Sequence, residues 1–247
     1  MDRFIGFKYR PINRRLFEVL ESESIYFARP SDLNDPFDCQ INVARSLRHA
    51  IQRSSGENLA ILQRVEKRLA GLIASVQEIA SEVGVWSCSV NGLNPVMWSH
   101  YANEHKGVCI AYMLPDRIIT PDANTGFMGS SPVKYASQPL VEWFLGLTES
   151  SVPREAWDFA AAVMLILLES KPPAWAYEEE GRIISRRPGA VSVGTEPVVQ
   201  VTFGLRVSDE DRSAVIRVLQ NKGYKASMYN VVRTDEDYGL DLEELVV

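Results

Sequence analysis

Between residues 57 and 83 apolar side chains recur at spacings of three and four: Leu62, Val65, Leu69, Leu72, Val76, Ile79 and Val83. Arg64, Glu66, Lys67, Arg68 and Glu78 fall outside that seam. The spacing predicts one long helix at about 57–83. About three heptads is the lower limit for a coiled coil. The seam is therefore expected to pack on the chain's own core. The alternative is an arm for a homodimer or a partner protein.

Elsewhere the pattern alternates between short strands and punctuated helices. FIGFKYRPI reads as a strand stopped at Pro11, and Asn13 is placed to cap a short helix over residues 14–20. IYFAR, VWSCSV, VCIAYML, VKYAS, VVQVTFG and SMYNVV read as strands from their β-branched and aromatic content. NPVMWSHYANEHKG reads as a helix capped by Asn94, with Pro95 in its first turn and Gly107 past its end. Residues 115–132 read as loop. Residues 153–170 read as a buried helix ended by Pro172-Pro173. AYEEEGRIIS reads as a strand, because Gly181 would break a helix. SDEDRSAVIRVLQNKG reads as a helix with a Ser208/Asp211 capping box and a closing Gly223. The acidic tail, 235–247, is expected to be loosely held.

Strands and helices are interspersed without a βαβ rhythm, and neither GxGxxG nor GxxxxGK[ST] occurs. These features predict an α+β fold. A central, twisted mixed sheet containing IYFAR, VCIAYML and YEEEGRII would be covered by helices. Residues 1–247 read as a single domain, with 45–84 as a helical insertion.

Composition narrows the function classes. With 46% hydrophobic and 23% charged residues the chain is expected to fold. A net charge of -6 argues against a global grip on nucleic acid. Cys39, Cys88 and Cys109 are widely spaced with no CxxC, which suits a reducing compartment. No apolar signal core is visible, and the most apolar run, 159–168, is far short of the ~20 residues that span a bilayer. The expectation is a cytoplasmic protein that does not enter a membrane.

Three clusters carry candidate chemistry. The first is Trp98, His100, Tyr101, Glu104 and His105. Glu104 lies one turn after His100, where a carboxylate would orient the imidazole. His100 and His105 are five apart, about 140° around a helix, so a shared metal is not expected. The second is Tyr177-Glu178-Glu179-Glu180-Gly181-Arg182. On a strand, Glu178, Glu180 and Arg182 share one face. Two carboxylates and a guanidinium beside apolar neighbours suit a polar cleft, or else a solvated edge. The third is Ser87-Cys88-Ser89, which puts two hydroxyls on one face. LNDPFD is strong turn chemistry. Its Asp35 or Asp38 is expected to bond backbone donors or Arg182 near the cleft. GxSxG is absent, so a serine hydrolase is not expected.

Three stretches together, KYRPIN…IYFARPSDLNDPFDC, WSHYANEHKGVCIAY and the spaced set Lys171, Trp175, Glu178, Glu180 and Arg182, resemble the bacterial family known as domain of unknown function 2971. The resemblance runs from about residue 5 to residue 230. It implies an effector role, since such proteins are often met near mobile or phage-defence genes, but it implies no reaction.

Two readings of different class follow. The order of a basic residue, a polar strand and an E-x-E strand is similar to the arginine–serine–glutamate arrangement of NAD-dependent ADP-ribosyltransferases. On that similarity Arg10 or Lys8 would hold the diphosphate of NAD, Ser87 and Ser89 would line the site, and Glu180 and Glu178 would be catalytic. His100 would assist them, with Trp98, Tyr101, Arg182 and Asp35 completing the pocket. The other reading is a non-enzymatic sensor or interaction module. A metal-dependent nuclease using Asp35, Asp38, Glu178 and Glu180 is a further alternative.

Overall fold

The structure, a computed structural model, describes residues 5–122, 126–236 and 238–246. Phe4 of the expected first strand, residues 123–125 of the expected loop, and Asp237 and Val247 of the acidic tail lie outside the described residues.

Strand β1 (Ile5–Arg10) stops before Pro11, and the Oδ1 of Asn13 caps helix α1 (Arg14–Glu21) by accepting from the Leu16 amide at 3.2 Å. Strand β2 (Ser24–Phe27) leads through a 3-10 turn at Pro30–Asp32 to a helical stretch: α2 (Val43–Arg53), α3 (Gly56–Lys67) and α4 (Leu69–Glu82). Then come β3 (Gly84–Ser89), α5 (Pro95–Tyr101), β4 (Val108–Met113), α6 (Asp116–Ile119), β5 (Phe127–Pro132) and β6 (Lys134–Tyr135). Helices α7 (Pro139–Leu145) and α8 (Ala156–Glu169) precede β7 (Ser170–Lys171) and a 3-10 turn at Pro173–Glu178. The chain closes with β8 (Glu180–Ser185), β9 (Gly189–Ser192), β10 (Val198–Phe203), α9 (Asp209–Lys222), β11 (Ser227–Arg233) and β12 (Leu240–Glu244).

The fold is α+β. Eight strands form one sheet in the order β12-β11-β10-β4-β1-β3-β8-β5. The sheet is mixed, with β10 and β11 parallel and its other pairs antiparallel. Helices cover both faces, and the period of two along the strands divides the core accordingly. Val85 and Ile184 join the apolar cluster of α2, α3, α4, α7 and α8, whereas their neighbours Trp86 and Ile183 join the cluster of α1 and α9. A smaller cluster under α5 holds Tyr9, Met97, Trp98 and Cys109.

Several sequence expectations change. The single helix over 57–83 is two helices that break at Arg68, which lies at φ -104°, ψ 0°. The Arg68 amide closes on the Val65 carbonyl at 3.0 Å, and its guanidinium reaches the Arg154 carbonyl at 3.0 Å. Seven residues return to the same helix face, so the seam continues across the break and hides it. Leu62, Val65, Leu72, Val76, Ile79 and Val83 are buried in the chain's own core, which uses up the seam that a dimer arm would need. IYFAR is not in the central sheet. It supplies β2, which pairs with β9 and touches the sheet through an Ala28–Val85 bridge. The expected loop over 115–132 contains β5, an edge strand on β8. The tail supplies β12, held in register with β11 from Arg233–Leu240 to Tyr229–Glu244. In AYEEEGRIIS only the residues from Glu180 onward are strand, because Pro172-Pro173 starts a 3-10 turn and Glu179 turns left-handed at φ 45°.

Candidate functional site

Strands β1, β3 and β8 are neighbours, and β3 and β8 are in full register: Ser89 lies opposite Glu180 and Ser87 opposite Arg182. Between β1 and β3 the register is a single pair, Phe7–Ser89. Beyond it the two strands part, and Ala28 takes the place beside Val85, with amide–carbonyl bonds of 2.9 and 2.7 Å. A cavity of about 760 Å³ opens at that parting. Lys8 and Arg10 of β1 line it, with Ser87 and Ser89 of β3, Tyr101 of α5, Arg15 of α1, and the side chains of Asn34, Asp38, Lys171, Glu178 and Glu180.

One wall is a buried ionic network. Arg182, 1% exposed, grips Glu180 with two nitrogens, Nε to Oε1 at 2.7 Å and Nη2 to Oε2 at 3.2 Å. The same Nη2 donates to Asp38 Oδ2 at 2.6 Å, and Nη1 donates to the Leu168 carbonyl at 3.0 Å. Lys171 Nζ stands among three carboxylates, 2.5 Å from Glu178, 3.2 Å from Glu180 and 3.7 Å from Asp38. It also lies 4.9 Å over the Trp175 ring. Tyr101 Oη donates to Glu178 Oε1 at 2.5 Å and accepts from Asn34 Nδ2 at 3.2 Å. Pairing of this kind is what makes buried charges tolerable.

The two glutamates are driven apart electrostatically. Burial alone raises the Glu180 carboxyl, but the Arg182 guanidinium and Lys171 overcome it and hold the group at about 2. Burial raises Glu178 as well, and there the bonds from Lys171 and Tyr101 only partly offset it, so its carboxyl stays above the usual range. A carboxylate ionised throughout the working range thus sits beside one that takes up a proton more readily.

The structure brings Arg10, Ser87, Ser89, Tyr101, Glu178 and Glu180 to one cavity. Lys8 and Asp38 line it too, whereas His100, Trp98, Arg182 and Asp35 lie elsewhere. Helix α5 ends at Tyr101, and Asn103, Glu104 and His105 follow with positive φ, so the turn that would join His100 to Glu104 does not form. His100 instead faces outward, with Nδ1 3.0 Å from Tyr177 Oη. Trp98 is core: it packs edge-on to Tyr9 at 5.2 Å and donates to the Gly92 carbonyl at 3.1 Å. Arg182 stands behind Glu180 rather than on the cavity wall. Asp35 is buried in its own turn, where Oδ1 accepts from the Phe37 amide at 2.9 Å; Asp38 is the turn's carboxylate that meets Arg182. Lys171 was absent from the expected site, although it belongs to the spaced set that carries the family resemblance. A lysine before Pro-Pro gives no sign in one dimension of the three carboxylates it joins.

The network also bears on metal chemistry. Among the described residues no group of three or more His, Cys, Asp or Glu is arranged to hold a metal ion. Asp38, Glu178 and Glu180 do converge, but the Lys171 ammonium fills the point where a divalent cation would stand. No helix among the described residues is long and apolar enough to cross a membrane. The cysteines are inert by burial, which pushes Cys39 and Cys88 up to about 12 and Cys109 well above its ordinary value.

The model of the family described as Protein of unknown function (DUF2971) matches residues 97–183. The resemblance to that family is borne out over this stretch, which runs from α5 into β8 and contains Tyr101, Lys171, Glu178, Glu180 and Arg182. No curated protein and no solved structure matches the chain.

Proposed function

We propose that the cavity binds NAD and cleaves its nicotinamide–ribose bond, as an ADP-ribosyltransferase or glycohydrolase does. One observation carries this reading: the basic residue, the two serines and the E-x-E glutamate lie on three consecutive strands, β1, β3 and β8, around one cavity. Arg10 and Arg15 suit a diphosphate, which arginine recognises through paired N–H donors. Tyr26 lines the same cavity, 52% exposed, and offers a ring face to a base. Departure of nicotinamide leaves positive charge on the ribose, and an ionised carboxylate such as Glu180 stabilises it. Glu178, whose carboxyl is raised, is the group to take the proton of the attacking hydroxyl or water.

The test is purified protein incubated with NAD, with free nicotinamide measured. The wild type is expected to release nicotinamide, and Glu180→Gln to lose ~100-fold or more of the rate while still folding. Equal rates would remove Glu180 from the chemistry. An effector role predicts in addition that expression of the wild type lowers cellular NAD and that of the Gln variant does not.

A second reading, a sensor that binds a nucleotide without cleaving it, is favoured by the full pairing of both carboxylates with Lys171, Arg182 and Tyr101. Calorimetric binding of NAD without nicotinamide release selects it. Absence of both binding and release defeats both readings.

A further inference from the structure

The buried or half-buried cations in and behind the cavity wall divide into two kinds. Lys171 and Arg182 are saturated with carboxylates. Lys8 is not. Its Nζ donates to the Ser87 carbonyl and lies 5.8 Å over the Trp86 ring. Among the described residues no carboxylate stands within ion-pair distance of it. Arg10, two residues along β1, likewise keeps a buried Nε without a hydrogen-bond partner. Both side chains line the 760 Å³ cavity together with Arg15. The carbonyl and the ring favour the ammonium, but burial beside further cations, with no carboxylate at ion-pair distance, shifts the balance towards the neutral amine.

We propose that Lys8 is a nucleophilic amine that condenses with the carbonyl group of a phosphate-bearing aldehyde, such as an open-chain sugar phosphate, held in this cavity. The Nζ lone pair attacks the carbonyl carbon, and the carbonyl π pair moves to oxygen, which takes one of the two amine protons to give a neutral carbinolamine. The carbinolamine then loses water, with a proton leaving nitrogen, and the C=N bond of an imine forms. No oxidant or reductant is consumed. Arg10 and Arg15 supply the charge that attracts the phosphate. This inference goes beyond the NAD reading and does not depend on it.

The groups that face Lys8 act on it in the same direction on balance. Burial lowers its pKa most, and the like charge of Arg10 lowers it further; Cys88, Glu180 and Glu178 pull it back only in part, leaving it at about 8. Roughly a tenth of the molecules then carry a free amine at pH 7, against less than about one in a thousand for an unperturbed lysine.

Pyridoxal 5′-phosphate is the probe, with borohydride reduction to trap the imine and peptide mapping to locate it. Lys8 is expected to be labelled at least ten times faster than exposed Lys67, Lys134 and Lys225, with a rate midpoint near pH 8. Lys8→Arg should remove the fast phase and leave the surface labelling as it was. Surface lysines that react as fast as Lys8 in the wild type would overturn the proposal without recourse to any variant. The phosphate preference is tested by Arg15→Gln, which should slow labelling by pyridoxal 5′-phosphate several-fold and leave labelling by pyridoxal unchanged. An equal effect on both aldehydes would overturn the phosphate part.

Discussion

Arg182 holds Glu180 by both carboxylate oxygens, at 2.7 and 3.2 Å, from the neighbouring position on the same face of β8. The grip fixes the carboxylate at the cavity wall and sets the charge balance of the network. Two cations, Lys171 and Arg182, face three carboxylates, Asp38, Glu178 and Glu180. Glu180→Gln leaves two of each and keeps the shape. It is expected to cost ~1.5–3 kcal/mol, as for lost hydrogen bonds to charged groups. Arg182→Met leaves three carboxylates against one lysine in a dry site and is expected to cost ~3–5 kcal/mol. Urea unfolding of the two variants checks the order, and equal losses would mean that the network is not buried as described.

Acid should unfold the protein through Glu180. Its folded-state pKa lies below the unfolded one, so its contribution is present above ~4.3 and is lost as the pH falls towards about 2. Glu178 has the opposite sign. Its raised carboxyl favours folding at low pH, and that contribution is lost as the pH rises through its folded value. The acid limb of stability against pH should therefore flatten in Glu180→Gln and steepen in Glu178→Gln. Thermal unfolding measured from pH 2 to pH 6 reads both slopes.

Glu180 and the two serines are legible from chemistry-bearing side chains at alternate strand positions beside apolar runs, whereas Glu178 reaches the cavity from the 3-10 turn before the strand. The α+β class was legible for a similar reason, from helix caps such as Asn94, whose Oδ1 accepts from the Val96 amide at 2.9 Å. What the sequence could not show is long-range. Lys171 gains its meaning only when β7 brings it to Asp38, more than a hundred residues away. The four-residue spacing pairs His100 with Glu104 only on the assumption of a continuous helix. Three successive left-handed residues undo that assumption, and such a run is rare outside glycine. The parting of β1 from β3, which makes the cavity, depends on Ala28 arriving from β2.

Tyr101→Phe isolates the second wall. The phenol gives Glu178 Oε1 its hydrogen bond and takes one from Asn34, so its loss leaves Glu178 with Lys171 as its remaining bonding partner. Loss of one such bond should cost ~1–2 kcal/mol. The Glu178 carboxyl should then move further upward, because a bond to the charged form has gone. Carbon-detected NMR titration of the glutamate carboxyls reads this directly. An unmoved Glu178 resonance would mean that the phenol does not bond it in solution.

Gly107 ties the end of β1 to the turn after α5. A Cβ placed there would lie 2.2 Å from the Arg10 carbonyl and 2.8 Å from that of Ala102, and backbone atoms cannot step aside as a side chain can. The close approach is held by the Gly107 amide on the Ala102 carbonyl at 2.8 Å and by the Gly204 amide on the Gly107 carbonyl at 3.0 Å. Gly107→Ala must push β1 outward just where Arg10 enters the cavity. It should lower stability by ~1–3 kcal/mol, as overpacking does, and weaken any ligand that Arg10 holds. Gly71→Ala is the control: it lies inside α4, nothing stands within 4 Å of the added methyl, and it should raise stability by ~0.5–1 kcal/mol. Denaturant midpoints of the two variants, shifted in opposite directions, would support this account of the glycine. A neutral Gly107→Ala would mean that β1 is free to move and that the cavity does not depend on this contact.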